Sequence, residues 1–247
     1  MRKLKCSIII PARNETTELA ILLNRISKQN FYDFDCNIIV DSETDKSSRV
    51  VNSIRSIDDR FNLIISSGSP NPAKAINLGI SRSISTKIIV CMGDGSDNPD
   101  DIPALLQLLD EGVSVACASR YMLGGNQLGG KWLKMKLSKF AGSSFQYFTK
   151  VETCDVTNSF KGYSRDFIDS VGISAKYGFE LGIEMVAKAH RTNKLIAEIP
   201  TIWVEKEKKK SRFKIARWAP VYIKWYLYGL GINFGEKKSS LFSRQRR

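Results

Sequence analysis

The sequence predicts an α/β domain with a mostly parallel central sheet, helices on both faces of that sheet and an amphipathic helical appendage at the C-terminus. Short β-branched apolar runs, which are typical of buried strands, alternate with segments that have helical apolar spacing. This alternation indicates parallel βαβ units. The 247 residues, of which 43% are hydrophobic, are enough for one large domain of this class.

Each predicted strand is a short apolar run, and each predicted helix has apolar residues three or four positions apart, as at Leu22 and Ile26 in the first helix. The predicted strands span residues 6–10, 37–40, 63–65, 88–92 and 113–118. The predicted helices between them span residues 15–29, 48–56, 72–83 and 100–110. The last of these helices has Asp100 or Asp101 as its cap and Pro103 in its first turn.

After Gly130 the regular alternation of strands and helices ends. The sequence then predicts a basic helix at 131–147, a polar strand or loop at 155–163, a helix at 179–190 and a strand at 195–204. We therefore expect the sheet domain within residues 1–215 and a separate C-terminal segment at 216–247.

The C-terminal segment combines aromatic and basic side chains, among them Trp218, Tyr222 and Trp225. This composition suits a helix that lies in the plane of a membrane interface, and the basic tail would add attraction to anionic lipid. Packing of the aromatic side chains in the core is the alternative. The sequence has no run of about 18 uncharged apolar residues, so we expect no transmembrane helix.

The charge and cysteine content narrow the partners and the compartment. The net charge of +13 favours anionic partners, namely phosphates, nucleic acid or a lipid surface. The five cysteines show no C-x-x-C spacing and stand mostly in apolar runs, so we expect buried free thiols in a reducing compartment. No apolar signal segment follows Met1, which favours a cytoplasmic location.

Carboxylates follow two of the predicted strands, where parallel sheets bind their ligands. Asp94 and Asp97 come directly after the strand at 88–92 and are the predicted ligands of Mg²⁺ or Mn²⁺, which prefer oxygen. Such a cation would neutralise a diphosphate leaving group. Asp41 follows the strand at 37–40 and could accept hydrogen bonds from a ribose or a base, with a turn-forming role as the alternative.

Seven short motifs in order give the chain a recognisable pattern. They are SIIIPARNE at 7–15, IIVDSETD at 38–45, AINLGI at 75–80, MGDGSDNP at 92–99, ASRY at 118–121, DVTNSFK at 155–161 and SRF at 211–213. In these motifs the chain resembles the family 2 glycosyltransferases of GT-A fold. Within them it is similar to the polyprenyl-phosphate branch, which includes dolichyl-phosphate mannose synthase. The resemblance covers roughly residues 5–215.

The resemblance implies a nucleotide-diphosphate sugar as donor and a polyprenyl phosphate as acceptor. The residues it assigns to the nucleotide sugar are Pro11, Arg13, Glu15, Asp41, Lys74 and Asp94. The residues it assigns to the acceptor and its phosphate are Arg120, Lys134, Ser138, Lys206 and Arg212. Asp155 and Asp94 are the implied catalytic residues. For Lys134 and Ser138 a solvated helix face is the alternative, and for Lys206 and Arg212 a plain charged loop.

Two positions depart from the family pattern. Met92 stands where the family carries the first Asp of D-x-D, and Val40 stands where it carries the first Asp of V-D-D. Asp94 alone remains of D-x-D, and Asp97 is the nearby acid that could compensate. These departures leave open a non-catalytic partner subunit as one reading of the chain.

The acceptor decides the mechanism. A monophosphate is already ionised, with a second pKa of about 6, so it can attack the anomeric carbon directly with inversion. The protein would then position the substrates and neutralise charge. A saccharide hydroxyl of a cell-surface glycan is the alternative acceptor, and it would need Asp155 or Glu184 as a base. Glu184 could instead pair with Lys188, four residues on.

The expected partners follow from this reading. They are the nucleotide sugar, the lipid phosphate and a membrane surface, with a membrane subunit as a further candidate. A nucleic-acid partner is not expected, because no recognition motif accompanies the basic residues. We expect the chain at the cytoplasmic face of a membrane, bound peripherally.

Overall fold

The computed structural model describes residues 6–29, 33–67, 70–205 and 215–232. The strands are β1 (Cys6–Pro11), β2 (Phe34–Val40), β3 (Phe61–Ile65), β4 (Lys87–Val90), β5 (Val115–Ser119), β6 (Asn126–Leu128), β7 (Lys161–Ser164), β8 (Ile196–Pro200) and β9 (Ile202–Val204). The helices are α1 (Thr17–Ser27), α2 (Lys46–Arg55), α3 (Pro72–Arg82), α4 (Ile102–Asp110), α5 (Trp132–Thr149), α6 (Arg165–Val171), α7 (Leu181–Arg191) and α8 (Ile215–Gly229).

The central sheet has seven strands in the order β3-β2-β1-β4-β7-β5-β8. All neighbouring pairs are parallel except those of β7, which runs antiparallel to both β4 and β5. The strands β6 and β9 form a small parallel sheet of their own. The predicted mostly parallel α/β fold is therefore confirmed.

The core lies on both faces of the central sheet because successive side chains of a strand point to opposite faces. Ile8 and Ile10 of β1 pack with α1, α2 and α4 on one face. Ile9 packs with α3, α6 and α7 on the other face. Four of the five cysteines are buried in these two layers and all five are free thiols, as expected.

Two local expectations differ from the structure. The predicted strand at 195–204 is two strands, β8 and β9, which belong to different sheets. Between them, the N–H of Thr201 donates to the carbonyl of Ser119 at 3.0 Å and its carbonyl accepts from the N–H of Asn126 at 2.9 Å, while its hydroxyl donates to Asp101 Oδ2 at 2.6 Å. Asp101 stands at the N-cap position of α4 as predicted, but its side chain makes no capping hydrogen bond. Asp100 pairs instead with Arg25 at 2.6 Å. Pro103 lies in the first turn of α4, as predicted.

The C-terminal helix α8 packs against the domain through its aromatic side chains. Trp218 and Trp225 are buried, Trp225 within the layer that contains α7. The hydroxyl of Tyr222 donates to the carbonyl of Phe179. These aromatic residues therefore pack in the core, which was the alternative to a membrane-facing role. Within the described residues, no helix combines the length and apolar character that crossing a membrane requires.

Candidate active site

The carboxyl ends of β1, β2 and β4 meet at one edge of the sheet, and they bring together the residues predicted to bind the donor. The backbone N–H of Gly93, which follows β4, donates to the carbonyl of Pro11 at 3.3 Å. Gly93 has no room for a side chain, since a Cβ there would lie 3.0 Å from that carbonyl oxygen. Arg13 Nε lies 3.3 Å from Asp41 Oδ2, which joins the ends of β1 and β2.

The loop after β1 is held by the start of α2. The backbone N–H of Asn14, which has a positive φ of 52°, donates to Asp45 Oδ1 at 2.9 Å. The same carboxylate caps α2 by accepting from the N–H of Ser47 at 2.8 Å. Glu15 is buried, and its N–H donates to Ser47 Oγ at 2.9 Å. Asp45 therefore fixes the backbone that carries Arg13 and Glu15.

The acidic loop after β4 places two carboxylates close enough for their charges to interact. Asp94 is half-buried and accepts from the N–H of Ser96 at 3.0 Å. Asp97 is buried and accepts from the N–H of Met92 at 2.9 Å. Burial, followed by the negative charge of Asp94, raises the pKa of Asp97 to about 7. Met92, at the position of the missing first Asp, thus holds Asp97 through its backbone.

The carboxylate oxygens of this loop fit a divalent cation that also binds a diphosphate. Asp94 and Asp97 offer only oxygen atoms, and a cation would offset the repulsion between them. Within the described ranges, no group of three or more His, Cys, Asp or Glu side chains is placed to hold a metal. A Mg²⁺ or Mn²⁺ ion held here would need substrate phosphates to complete its ligands, as Mg²⁺ sites with one or two carboxylates do.

Asp155 and Arg120 form a buried ion pair beyond the end of β5. Arg120 Nε donates to Asp155 Oδ2 at 2.7 Å, and Arg120 Nη2 donates to Asp155 Oδ1 at 2.9 Å. The Asp155 side chain is fully buried and that of Arg120 is 10% exposed. Burial alone would raise the pKa of Asp155, but the charge and hydrogen bonds of Arg120 outweigh it and lower the pKa to about 2. Asp155 is therefore held as a carboxylate.

The guanidinium of Arg120 also contacts α5. Arg120 Nη2 donates to Ser138 Oγ at 3.2 Å and to Thr157 Oγ1 at 2.9 Å, and these two hydroxyls lie 2.5 Å apart. Lys134 lies one turn before Ser138, is half-buried, and has a pKa lowered by that burial. The structure thus brings Arg120, Ser138 and Asp155 together, with Lys134 on the neighbouring turn.

The residues predicted to bind the donor lie close enough to those predicted to bind the acceptor for their charges to interact. The charge of Arg120 is among those that lower the pKa of Asp97, and the charge of Asp97 raises the pKa of Arg120. The backbone also joins them, since the N–H of Val204 in β9 donates to the carbonyl of Ser96 at 3.0 Å. A molecule that reaches from the loop of Asp94 and Asp97 to the loop of Asp155 would therefore contact the two carboxylates that could hold a cation at one end and Arg120 at the other.

The remaining predicted residues have different outcomes. Lys74 is exposed in the first turn of α3, at the same edge of the sheet as Asp41. Lys206 and Arg212 lie outside the described residues. Glu184 Oε1 is paired with Lys188 Nζ at 2.6 Å inside α7, and both side chains are buried. The salt-bridge interpretation of Glu184 is therefore confirmed.

Three residues near Arg120 were not named as site residues from the sequence. Gln127 Oε1 accepts from the Tyr121 hydroxyl at 3.1 Å and lies 3.4 Å from Arg120 Nη1. Thr157 bonds Arg120, and the buried Lys161 donates from Nζ to the carbonyl of Asp155 at 3.1 Å and to that of Asn158. Thr157 and Lys161 belong to the motif at 155–161, and this motif is the feature of the sequence from which they could have been identified. Gln127 carries no such signal.

Comparison with known proteins places these features in context. A family described as Glycosyl transferase family 2 matches residues 7–172. The polyprenol monophosphomannose synthase of Mycolicibacterium smegmatis is 23% identical over 228 residues, which cover 85% of this chain and 85% of that protein. The undecaprenyl-phosphate mannosyltransferase of Micrococcus luteus is 27% identical over 125 residues, which cover 48% of this chain and 49% of that protein.

Solved structures share the fold at low sequence identity. Glucosyl-3-phosphoglycerate synthase from Mycobacterium tuberculosis, in complex with Mn²⁺, UDP and glucosyl-3-phosphoglycerate, has a TM-score of 0.68 at 15% identity and covers 93% of this chain and 81% of that one. S. aureus TarS 1–349 in complex with UDP-GlcNAc has a TM-score of 0.64 at 17% identity and covers 94% of this chain and 68% of that one. These likenesses confirm the GT-A fold.

Proposed function

Since the chain belongs to glycosyl transferase family 2 and is a glycosyltransferase, we propose that it moves a sugar from a nucleotide-diphosphate sugar to a polyprenyl phosphate, with inversion and with a divalent cation. The named acceptors of the M. smegmatis and M. luteus relatives, a polyprenol and undecaprenyl phosphate, support the lipid phosphate. The Mn²⁺ and UDP in the M. tuberculosis synthase support the cation and the nucleotide.

The observation that carries the proposal is the state of Asp155. Its pKa is lowered to about 2 and its carboxylate accepts from Arg120, Thr157 and the N–H of Asn158. A carboxylate of such low pKa is a poor base for a sugar hydroxyl at neutral pH. Glu184, the other base considered, is buried against Lys188. A phosphate acceptor needs no base, because it is already ionised.

The protein's own residues would then act by position and charge. Asp94 and Asp97 would hold the cation, which supplies charge neutralisation of the leaving diphosphate. Arg13 and Asp41, at the ends of β1 and β2, would contact the nucleotide. Asp155 would orient Arg120, and Arg120 together with Ser138 would direct the acceptor phosphate toward the anomeric carbon.

The test is transfer of labelled sugar into an organic-extractable lipid phosphate. The purified chain is incubated with a panel of labelled nucleotide sugars, Mg²⁺ or Mn²⁺, and a short polyprenyl phosphate. We expect label in the organic phase from one donor, abolished by chelation and reduced at least about 100-fold in Asp94→Asn. Asp100→Asn, in the same acidic stretch but 62% exposed, is the matched control and should keep full activity.

Two results would overturn the proposal. Transfer to a saccharide hydroxyl, with none to the lipid phosphate, would assign a different acceptor and require a base that Asp155 does not provide. Nucleotide-sugar binding without transfer to any acceptor would instead support the non-catalytic subunit.

A further inference from the structure

The helix α5 exposes an unusual amount of aromatic and apolar surface. Of its 18 residues only Gly142 and Phe145 are buried. Phe140 is 72% exposed, Tyr147 69% and Phe148 64%. The other large apolar side chains that it exposes are Trp132, Leu133 and Leu137. Soluble proteins rarely expose so many large apolar side chains on one helix, so this surface of α5 indicates a binding role.

These exposed side chains lie on one side of the helix. At 3.6 residues per turn, the positions from Trp132 to Phe148 fall within an arc of about 160°. The opposite side faces the domain: a Cβ at Gly142 would collide with the carbonyl of Cys154, and the ring of Phe145 packs edge-on against Tyr226 at 5.4 Å. The helix is therefore amphipathic with its apolar side turned outward.

Lysines lie within the apolar arc, beside it and at the two ends of the helix. Lys136 Nζ lies 5.0 Å from the centre of the Trp132 ring, and Lys150 Nζ lies 4.7 Å from that of Tyr147. Lys131 and Lys139 are also exposed, and α5 contains no acidic residue. Aromatic rings flanked by lysines suit the boundary between acyl chains and anionic headgroups.

We propose that α5 lies in the plane of an anionic membrane and is the surface through which the protein docks on the bilayer. This rests on the proposed function, since it supplies the surface from which a polyprenyl phosphate would be taken. The lysines favour lipid over a second copy of the chain, because two copies meeting at α5 would bring their exposed lysines close together. Anionic headgroups complement those lysines.

The placement also connects the membrane to the site. Ser138, on the inner side of α5, accepts from Arg120, while Phe140 and Leu137 lie on the outer side. An α-helix is about 10 Å across. The phosphate of a lipid in the headgroup layer beside α5 would therefore have to move only about the width of one helix to reach Arg120. The membrane element predicted from the sequence lies at residues 216–247, whereas α5 lies within the sheet domain.

Vesicle sedimentation with a matched control tests the docking. The full chain is spun with vesicles of phosphatidylcholine alone or with phosphatidylglycerol added in equal part. We expect binding to the anionic vesicles, and a loss of at least about tenfold in F140E/F148E. The control is Ile223→Glu on α8, which replaces a side chain of 55% exposure and should bind like the unmodified chain. Circular dichroism and the unfolding midpoint establish that all variants fold.

Activity measurements separate this inference from the proposed function. F140E/F148E should turn over a short, water-soluble polyprenyl phosphate like the unmodified chain, but lose at least about tenfold on a long acceptor embedded in anionic vesicles. If no acceptor is used by any variant, the proposed function fails while the sedimentation result still decides the docking.

Three outcomes would overturn the docking. They are retained vesicle binding in F140E/F148E, an equal loss in Ile223→Glu, and a dimer of the unmodified chain in sedimentation velocity that F140E/F148E dissociates.

Discussion

The ion pair of Arg120 and Asp155 should contribute strongly to stability, and Asp155→Asn tests this. The substitution keeps the size of the side chain but removes its charge. It leaves the guanidinium of Arg120, whose side chain is 10% exposed, without the carboxylate that now accepts at 2.7 and 2.9 Å. Removing one partner of a buried ion pair costs about 3–5 kcal/mol. For a chain of this size that lowers the melting temperature by about 6–20 °C.

The pH dependence gives an independent magnitude. The pKa of Asp155 falls from its ordinary 3.8 to about 2 in the folded chain, which corresponds to a contribution to stability on the order of 2 kcal/mol at neutral pH. Because the folded pKa is the lower one, this stability is present above pH 3.8 and is lost as the pH falls toward 2. Asp155→Asn should lack this part of the acid sensitivity.

The assay is urea unfolding of the unmodified chain and of Asp155→Asn at pH 7 and at pH 3. Asp169→Asn is the control, since Asp169 pairs with Arg165 at 3.9 Å on the surface and should lose less than about 1 kcal/mol. The double variant Arg120→Gln with Asp155→Asn should be more stable than the sum of the single losses predicts, by about 1–3 kcal/mol. A loss under about 1 kcal/mol in Asp155→Asn, or strict additivity, would refute the reasoning.

Three further substitutions test other contacts. Gly93→Ala places a Cβ 3.0 Å from the carbonyl oxygen of Pro11, so we expect a loss of about 1–3 kcal/mol and weaker nucleotide binding by calorimetry. Unchanged stability and affinity would contradict the close approach. Glu184→Gln breaks a buried pair with Lys188 and should cost about 3–5 kcal/mol in urea unfolding with both KM values unchanged. A selective loss of kcat in a stable variant would instead make Glu184 catalytic. Ser138→Ala should raise the KM for the lipid phosphate about 2–10-fold and leave that for the donor unchanged, and the reverse pattern would remove Ser138 from the acceptor site.

The sequence was most informative where structure is local. Each of the strands β1 to β4 contains a short apolar run, which is typical of a strand in a buried parallel sheet, and each was predicted. The strand β7 was not separable from its loop, because Lys161, Gly162 and Ser164 do not form an apolar run. Its burial depends on β4 and β5, where Gly162 fits between Ile89 and Ala116. Such long-range packing leaves no local pattern to read.

The sequence motifs named some of the residues that the structure brings together at the candidate site, but not the contacts between them. Arg120 and Asp155 belong to separate motifs, and the bond between them joins positions 35 residues apart. The interpretation of the aromatic residues at the C-terminus depended on which side of α8 is turned toward the core. Trp218 and Trp225 are seven positions apart, so they share one side of a helix, and that side is the buried one. On α5 the same residue types face outward, which composition alone does not distinguish.

The position of β7 in the sheet also determines the order in which the protein can assemble. During synthesis the four strands β1 to β4 emerge first, with the outer edge of β4 unpaired, and such edges favour association between chains. Val90 finds its partner Lys161 only 71 positions later, a separation that slows folding. Lys161 is also the residue that holds the Asp155 loop through its carbonyls. Lys161 therefore takes part both in closing the sheet and in holding the Asp155 loop, and a chain that ends before Lys161 would lack both contacts.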